Sequence, residues 1–169
     1  LRMDKVLDGL RVLELGQVLA GPFAGAILAD LGAEVIKLER VDGGDDARHM
    51  GPDFRHGDAI SFHIFNRGKQ SVAIDLKSAA GLEAFERLAA SADIFIHNLR
   101  PGVTQALGIA GEDLCARHPR LIYCEISAFG AVGPMKMQPG YEPLIQAFSG
   151  LSSLNGGPDV AAPGLGLSD

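Results

Sequence analysis

The sequence lacks several features that identify particular classes of protein. It has no tryptophan and two cysteines in 169 residues. We find no apolar run long enough to span a bilayer and no secretory signal, so we expect no membrane association. The two cysteines, Cys115 and Cys124, do not have the spacing of metal ligands. We therefore expect reduced thiols, no bound metal and a cytoplasmic location.

Acidic residues outnumber basic ones, with 21 Asp and Glu against 15 Lys and Arg and a formal net charge of −6. This balance argues against a nucleic-acid partner. It does not exclude a phosphorylated ligand, because local cations decide that. Several lie near predicted loops: Lys37, Arg40, Arg67, Lys69, Lys77 and Arg100. With 47% hydrophobic residues, the chain can form one folded domain with a real core.

Residues 11–40 predict a strand, a loop, a helix and a second strand. Apolar residues over 12–15 indicate the first strand, and Pro22 suits the first turn of the helix. Gly32 ends that helix, and residues 35–38 indicate the second strand. Such a βαβ crossover belongs to a parallel sheet. Ligands bind such sheets at the carboxyl ends of the strands, which here means the loop over residues 16–21.

The rest of the chain continues this alternation. A long polar loop over 41–58 is followed by a short helix over 59–65 and strands over 71–76, 93–97 and 121–126. Ser78 suits the cap of a helix with an apolar face, and further helices are predicted over 112–118 and 143–148. The loop over 41–58 is long enough that we expect it to be functional or packed. The pattern predicts an α/β fold, with a Rossmann-like, mainly parallel sheet and flanking helices.

The glycines of the first loop suggest a dinucleotide site but have the wrong spacing. Gly16, Gly21 and Gly25 follow G-x4-G-x3-G rather than G-x-G-x-x-G. Glu39 ends the second strand, where dinucleotide-binding folds place a ribose-binding acid. An NAD-dependent oxidoreductase is therefore one alternative. The other, which we favour, is that Gly21 only turns the loop and Gly25 only lets helix and strand pack closely.

The histidines and residues 98–102 offer further candidates. His49, His56 and His63 are seven apart, but glycine and proline between them break any continuous helix. We expect surface or hydrogen-bonded histidines rather than a metal site. His97, at the end of a predicted strand, could contact a ligand or pack in the core. The following NLRPG segment suits an anion, with an ordinary strand-to-helix turn as the alternative.

Taken together, the segments of the chain resemble the class III CoA-transferase family, the carnitine and bile-acid-inducible, formyl-CoA-transferase-like type. The matching segments, in order, are LDGLRVLEL, VLAGPFAGAILADLGAEVIKLER, GDDAR, FNRGKQSVAIDLKS, ADIFIHNLRPGV, ISAFG, GYEPLIQAFSGL and GLGLSD. The resemblance implies that residues 1–169 are the N-terminal, CoA-binding part of a large domain. The C-terminal completion and a small domain would lie beyond this chain. It also implies an interlocked homodimer at full length. Because the sheet of this chain would lack its C-terminal completion, we expect residues 1–169 alone to be inactive and poorly stable.

The resemblance assigns the chemistry to Asp169, although nothing in the local spacing marks this residue as a nucleophile. Its carboxylate would attack an acyl-CoA donor to give a mixed anhydride and then an aspartyl-CoA thioester. A free carboxylic acid would accept the CoA. Glycines such as Gly164 and Gly166, or a glycine loop beyond this chain, would let backbone N–H groups approach the oxyanions.

The resemblance also implies a binding site for coenzyme A, present as the acyl-CoA substrate. The expected cofactor-binding residues are Leu19, Ala20, Arg40, Ile74, Lys77, Asn98, Leu99, Arg100 and Tyr141. The backbone before Gly21 would line the nucleotide, and cations would meet its phosphates. Apolar walls would enclose the adenine, and Tyr141 would lie near the thioester.

The sequence departs from the family pattern at some positions. Leu19, Ala106 and Pro139 stand where some members have Gln, Arg and Lys. A related branch, the 2-methylacyl-CoA racemases, uses a histidine in a GHD-like segment. Here that segment reads Gly140-Tyr141-Glu142. Because tyrosine at this position argues against proton abstraction, we favour CoA transfer over racemisation. A non-catalytic binding fragment is a further alternative.

Overall fold

A five-stranded parallel sheet lies in the first of two units of the computed structural model, residues 1–126 and 127–169. The structure describes residues 5–154. The sheet strands are β1 (Arg11–Leu15), β2 (Glu34–Glu39), β5 (Lys69–Ala73), β6 (Ile94–His97) and β7 (Ile122–Glu125). A separate antiparallel pair consists of β3 (Phe54–Arg55) and β4 (Asp58–Ala59). The mainly parallel α/β fold predicted from the sequence is confirmed.

Helices connect the strands of the first unit. They are α1 (Ala20–Asp30), α2 (Ile60–Phe65), α3 (Ala79–Ala89), α4 (Val103–Ala106) and α5 (Gly111–Arg117). The second unit contains α6 (Glu142–Ser149) and α7 (Leu151–Leu154). Among the helices of residues 5–154, none is long and apolar enough to cross a membrane.

The strand order is β5-β2-β1-β6-β7. The chain leaves β1 toward β2 and β5, then returns to the other side of β1 to form β6. The crevice between β1 and β6 is therefore the topological switch point of the sheet, where open α/β sheets bind their ligands. The register pairs Leu15 with His97, so the two strands end at the same level.

Side chains alternate between two cores. Leu13, Ile36 and Phe95 face a cluster that includes Phe85 of α3 and Leu114 of α5. The alternate residues of the same strands face the opposite side of the sheet. There Val12, Val35 and Ile96 pack with Leu28 and Ala29 of α1. This period of two is expected for strands covered on both faces.

The sequence signals at the helix ends are confirmed. Pro22 lies in the first turn of α1, and Gly32 follows its end with a φ of 112°, a left-handed value that favours glycine. Ser78 caps α3, since its hydroxyl accepts a hydrogen bond from the N–H of Gly81 at 3.0 Å.

Two stretches differ from their predicted structure. β5 begins two residues before the predicted strand over 71–76, because Lys69 pairs with Val35 in the ladder with β2. Residues 41–58 contain a 3-10 helix over Asp46–His49 and the β3–β4 pair. This loop packs in part, since Asp45 is buried and the side chain of Arg48 lies over the ring of Phe62.

Candidate functional site

The carboxyl edge of the sheet collects most of the residues that the sequence predicts as ligands. Each predicted loop follows a strand at this edge, because all five strands are parallel. The residues concerned are Leu19, Ala20, Arg40, Ile74, Lys77, Asn98, Leu99 and Arg100. Arg40, Lys77 and Arg100 are exposed, whereas Ile74 is buried. Exposed cations at this edge suit nucleotide phosphates, whereas Ile74 lies in the hydrophobic core with Phe85.

The loop between β1 and α1 is held across the switch point by Asn98. The side-chain carbonyl of Asn98 accepts a hydrogen bond from the N–H of Gln17 at 2.8 Å. Its amide group donates to the carbonyl of Gln17 at 2.9 Å. The side chain of Asn98, for which the sequence predicts a contact with CoA, thus also holds the first loop.

The three glycines of the first loop and helix each lie where a side chain would collide. A Cβ on Gly21 would lie 2.9 Å from Cα of Gly16, and one on Gly16 would lie 2.7 Å from Cδ of Pro22. A Cβ on Gly25 would overlap the carboxylate of Glu14. The spacing G-x4-G-x3-G therefore reflects a tight loop and a buried carboxylate.

Beneath this loop lies a buried charge cluster, which consists of Glu14, Lys37, Asp45 and Lys69. Glu14, Lys37 and Asp45 are at most 1% exposed. The ammonium of Lys37 lies 3.0 Å from Oε1 of Glu14 and 2.8 Å from Oδ2 of Asp45. The ammonium of Lys69 lies 2.5 Å from Oε2 of Glu14. With two carboxylates and two ammonium groups the charges balance, which burial demands.

Backbone and amide oxygens complete the cluster. Lys37 also donates to the carbonyl of Gly16 at 2.9 Å. Lys69 donates to the carbonyl of Pro22 at 2.7 Å and to Oδ1 of Asn66 at 2.9 Å. Desolvation lowers the pKa of Lys69, partly opposed by the charge of Glu14. Lys37 and Lys69, which the sequence offered as phosphate-binding cations, are thus used inside the protein.

Asp45 links the buried charge cluster to the loop between β1 and α1. Its Oδ1 accepts hydrogen bonds from the N–H groups of Val18 and Ala47, both at 2.9 Å. Val18 has a φ of 63°, a left-handed value that is rare for a β-branched residue. The segment GDDAR thus reaches the first loop through a buried carboxylate.

Glu39, the candidate ribose-binding acid, is engaged by the protein. Arg48 donates to both of its oxygens at 2.8 Å, Ser71 donates to Oε1 at 2.6 Å, and the N–H of Asp45 donates to Oε2 at 2.9 Å. Burial alone would raise the pKa of Glu39, but these hydrogen bonds outweigh it and lower the pKa to about 2. Its four hydrogen bonds disfavour the dinucleotide alternative.

His97 packs in the core under residues 98–100. Its Nδ1 accepts a hydrogen bond from the N–H of Leu99 at 3.3 Å, which leaves the proton on Nε2. That nitrogen donates to the hydroxyl of Tyr123 at 2.7 Å. Burial lowers the pKa of His97 to about 4 and raises that of Tyr123. A neutral, buried His97 therefore holds the backbone of Leu99 through a hydrogen bond.

The exposed cation Arg40 has contacts within its own loop. It donates to the carbonyl of Gly44 at 3.1 Å and forms an ion pair with Asp46. Both partners of this pair are more than half exposed, so it is screened by water and weak. The pair with Asp46 therefore contributes little to holding Arg40 in place.

The other sequence candidates make none of the contacts described above, or fall in the second unit or outside the described residues. Tyr141 belongs to the second unit, where it precedes α6. Asp169, Gly164 and Gly166 lie outside the described residues. Residues 5–154 contain no cluster of His, Cys, Asp and Glu suited to a metal ion. Nε2 of His49 and of His63 lie within 3.1 Å of backbone carbonyls, and Cys115 and Cys124 are free thiols.

Sequence reasoning missed Glu14, Asp45 and Arg48, which contact the loops and side chains of the candidate site. One signal was available: Glu14 and Lys37 interrupt apolar strands on the face that packs against α1. A charge at a buried strand position needs a partner of opposite sign nearby. The pairing with Lys69, far along the chain, has no local signal.

Comparison with known proteins agrees with this architecture. The model of CoA-transferase family III matches residues 7–169. Succinyl-CoA:glutarate CoA-transferase of Mus musculus is 42% identical over 167 residues, which cover 98% of this chain and 38% of that protein. Succinate–glutarate CoA-transferase of Agrobacterium fabrum (strain C58 / ATCC 33970) is 44% identical over 159 residues, with 90% and 40% covered.

A solved structure is similar over the same region. The crystal structure of a CAIB/BAIF family protein from Brucella suis matches with a TM-score of 0.89 at 42% identity. The match covers 96% of this chain and 44% of that one. The chain thus spans about two fifths of the length of these relatives. The family match and this identity show that the chain belongs to CoA-transferase family III.

Proposed function

We propose that the protein containing this chain moves CoA from an acyl-CoA donor to a free carboxylic acid. The observation that carries the proposal is the match to family III, with relatives named as CoA-transferases at 41–44% identity. The carboxyl edge supports it, because the exposed cations Arg40, Lys77 and Arg100 follow strands at this edge, and the start of α1 follows β1 beside the switch point of the sheet.

Asp169 is the proposed nucleophile. Its carboxylate attacks the thioester carbonyl of the donor, the C–S bond breaks, and CoA leaves as the thiolate. The thiolate then attacks the aspartyl carbonyl of the mixed anhydride and releases the donor acid as its carboxylate. An acceptor carboxylate attacks the aspartyl thioester and expels the thiolate again. The thiolate then attacks the acceptor carbonyl, which frees Asp169 and gives the new acyl-CoA.

The first unit is the proposed CoA site. Arg40, Lys77 and Arg100 would neutralise phosphates, and Ile74 would flank the adenine. The backbone of Leu19 and Ala20 would line the nucleotide, and Asn98 and Leu99 would hold the pyrophosphate or the pantetheine. Tyr141 of the second unit is proposed near the thioester. We also propose an interlocked homodimer for the full-length protein and a cytoplasmic location.

The test uses the full-length protein with succinyl-CoA as donor and glutarate as acceptor, the pair named in relatives. Trapping with hydroxylamine should give a mass shift on the peptide that contains Asp169. Asp169→Asn, a matched variant without a nucleophilic carboxylate, should lose both the shift and glutaryl-CoA formation. Turnover by Asp169→Asn equal to that of the wild type would refute the mechanism.

Two further measurements separate the alternatives. Incubation of a 2-methylacyl-CoA in deuterated water should leave the α position unlabelled, since Tyr141 stands where racemases use histidine. Label entering that position would favour the racemase. CoA should raise the unfolding temperature and NAD should not. Stabilisation by NAD alone would favour the oxidoreductase.

A further inference from the structure

We infer that Asp45 is a positioning residue, which holds Val18 in a left-handed conformation and thereby pre-forms the β1–α1 loop for CoA. The inference rests on the proposed function for the ligand, and on the geometry alone for the loop. It concerns the conformation of residues 17–19 of the loop between β1, which ends at Leu15, and α1, which begins at Ala20.

The first observation is backbone strain. Val18 has a φ of 63°, and Val18 and His56 are the non-glycine residues with positive φ among those that the structure describes. A branched Cβ clashes with the neighbouring peptide in this region, so valine avoids it. Strained residues persist only where their surroundings fix them, and they concentrate at binding and catalytic sites.

The second observation is that three segments fix this loop. Oδ1 of Asp45 accepts the N–H of Val18 at 2.9 Å, and Asn98 holds both backbone groups of Gln17. The N–H of Leu19 donates to the carbonyl of Gln17 at 2.9 Å. Asp45 is itself fixed, because it is 1% exposed and its Oδ2 lies 2.8 Å from the buried ammonium of Lys37.

These contacts decide what the loop offers to a ligand. The N–H groups of residues 17–19 are all bonded within the protein, so their role is to shape the loop. The shaped loop presents the half-exposed side chain of Val18 and leads directly into Ala20 of α1. Without Asp45, Val18 relaxes to a negative φ and the start of α1 is displaced from its binding position.

The test combines Asp45→Ala with valine, alanine or glycine at position 18 in the full-length protein. Val18→Gly removes the strain, because glycine adopts left-handed conformations freely. Val18→Ala is the matched control, since it removes the methyl groups but keeps the Cβ. Asp45→Asn keeps an acceptor for the N–H of Val18, so position 18 should retain its positive φ and the Kd should change less than about threefold. This arm remains if Asp45→Ala does not fold, and a negative φ at Val18 in Asp45→Asn would count against the inference. The readouts are the Kd for CoA by calorimetry and crystal structures of the variants.

Asp45→Ala should raise the Kd for CoA about tenfold when position 18 is valine or alanine, and less than about threefold when it is glycine. The φ at position 18 should turn negative with valine and with alanine, and it should stay positive with glycine. Equal changes in Kd in all three backgrounds, or a positive φ retained in all, would overturn the inference. If the wild type fails to bind CoA, the proposed function is wrong. The crystal structures would still test whether Asp45 keeps the φ of Val18 positive.

Discussion

Asn98 bonds both backbone groups of Gln17, at 2.8 Å and 2.9 Å, across the gap between the ends of β1 and β6. The two residues are 81 positions apart in the chain. Because a side-chain amide has one acceptor and one donor end, it matches a backbone N–H and carbonyl of the same residue. This pairing fixes the distance between two loops of the proposed CoA site.

We predict that Asn98→Asp destabilises the protein more than Asn98→Ala at pH 7. Alanine loses two hydrogen bonds, which costs about 2 kcal/mol. Aspartate keeps the bond from the N–H of Gln17, but its second oxygen faces the carbonyl of Gln17 and repels it. Urea unfolding at pH 7 measures both changes. Wild-type stability in Asn98→Asp would contradict the assignment of the two bonds.

Gly25→Ala should destabilise the protein by about 2 kcal/mol, because the new methyl group overlaps the carboxylate of Glu14. Glu14 cannot move aside without losing Lys37 or Lys69. The matched control is Gly111→Ala in α5, where the nearest atom of Tyr123 lies 3.0 Å away and a small shift suffices. Thermal unfolding compares them, and equal losses would contradict the role of Glu14.

The free energy of unfolding should rise with pH between about 4 and 6.5 because of His97. Its pKa is about 4 in the folded protein, against an ordinary value of 6.5, so in this window the unfolded chain binds a proton that the folded protein does not. The stability lost on acidification is at most about 3 kcal/mol. His97→Gln should flatten this part of the pH profile, measured by denaturant unfolding.

Tyr123→Phe serves as the control for that experiment. It removes the hydroxyl partner of His97 but keeps the histidine buried, and burial causes the lowered pKa. The pH dependence should therefore remain while stability falls by about 1 kcal/mol at every pH. A flat profile in Tyr123→Phe would assign the shift to the hydrogen bond instead.

Arg48→Met should raise the pKa of Glu39 well above its value of about 2, because burial is then opposed only by Ser71 and the N–H of Asp45. A lowered carboxyl pKa contributes stability above 4.5 that is lost as the pH falls toward 2. The variant should lose about 3 kcal/mol at pH 7. Carboxyl NMR titration measures the pKa, and an unchanged value would contradict the bidentate pair.

The fold could be predicted from local signals. Pro22 and Gly32 bound α1, and Ser78 caps α3, because each acts on backbone groups within a few residues. The alternation of strands and helices then implied the parallel sheet. Strand boundaries were predicted less accurately, because the start of β5 depends on the pairing of Lys69 with Val35 in another strand.

The position of the candidate site could be predicted from the sequence, but most contacts of its side chains could not. Loops at the carboxyl edge follow from the parallel topology, which put Arg40 and Asn98 at one edge. The contacts of each side chain did not follow. Asn98, predicted as a ligand, also holds Gln17, and Lys37 has the charge for a phosphate but neutralises Glu14 and Asp45. Only the three-dimensional neighbours decide between these uses.

The charge cluster also restricts how this family can diverge. Glu14 contacts both Lys37 and Lys69, so its loss alone leaves two buried ammonium groups with Asp45 as the one carboxylate of the cluster, at a cost of several kcal/mol. Loss of either lysine alone leaves a surplus of negative charge. We therefore expect related sequences to change these positions in pairs or not at all. We expect relatives to keep or replace these four residues as a set, which consists of Glu14, Lys37, Asp45 and Lys69. The first and the last of them are 55 positions apart in the chain.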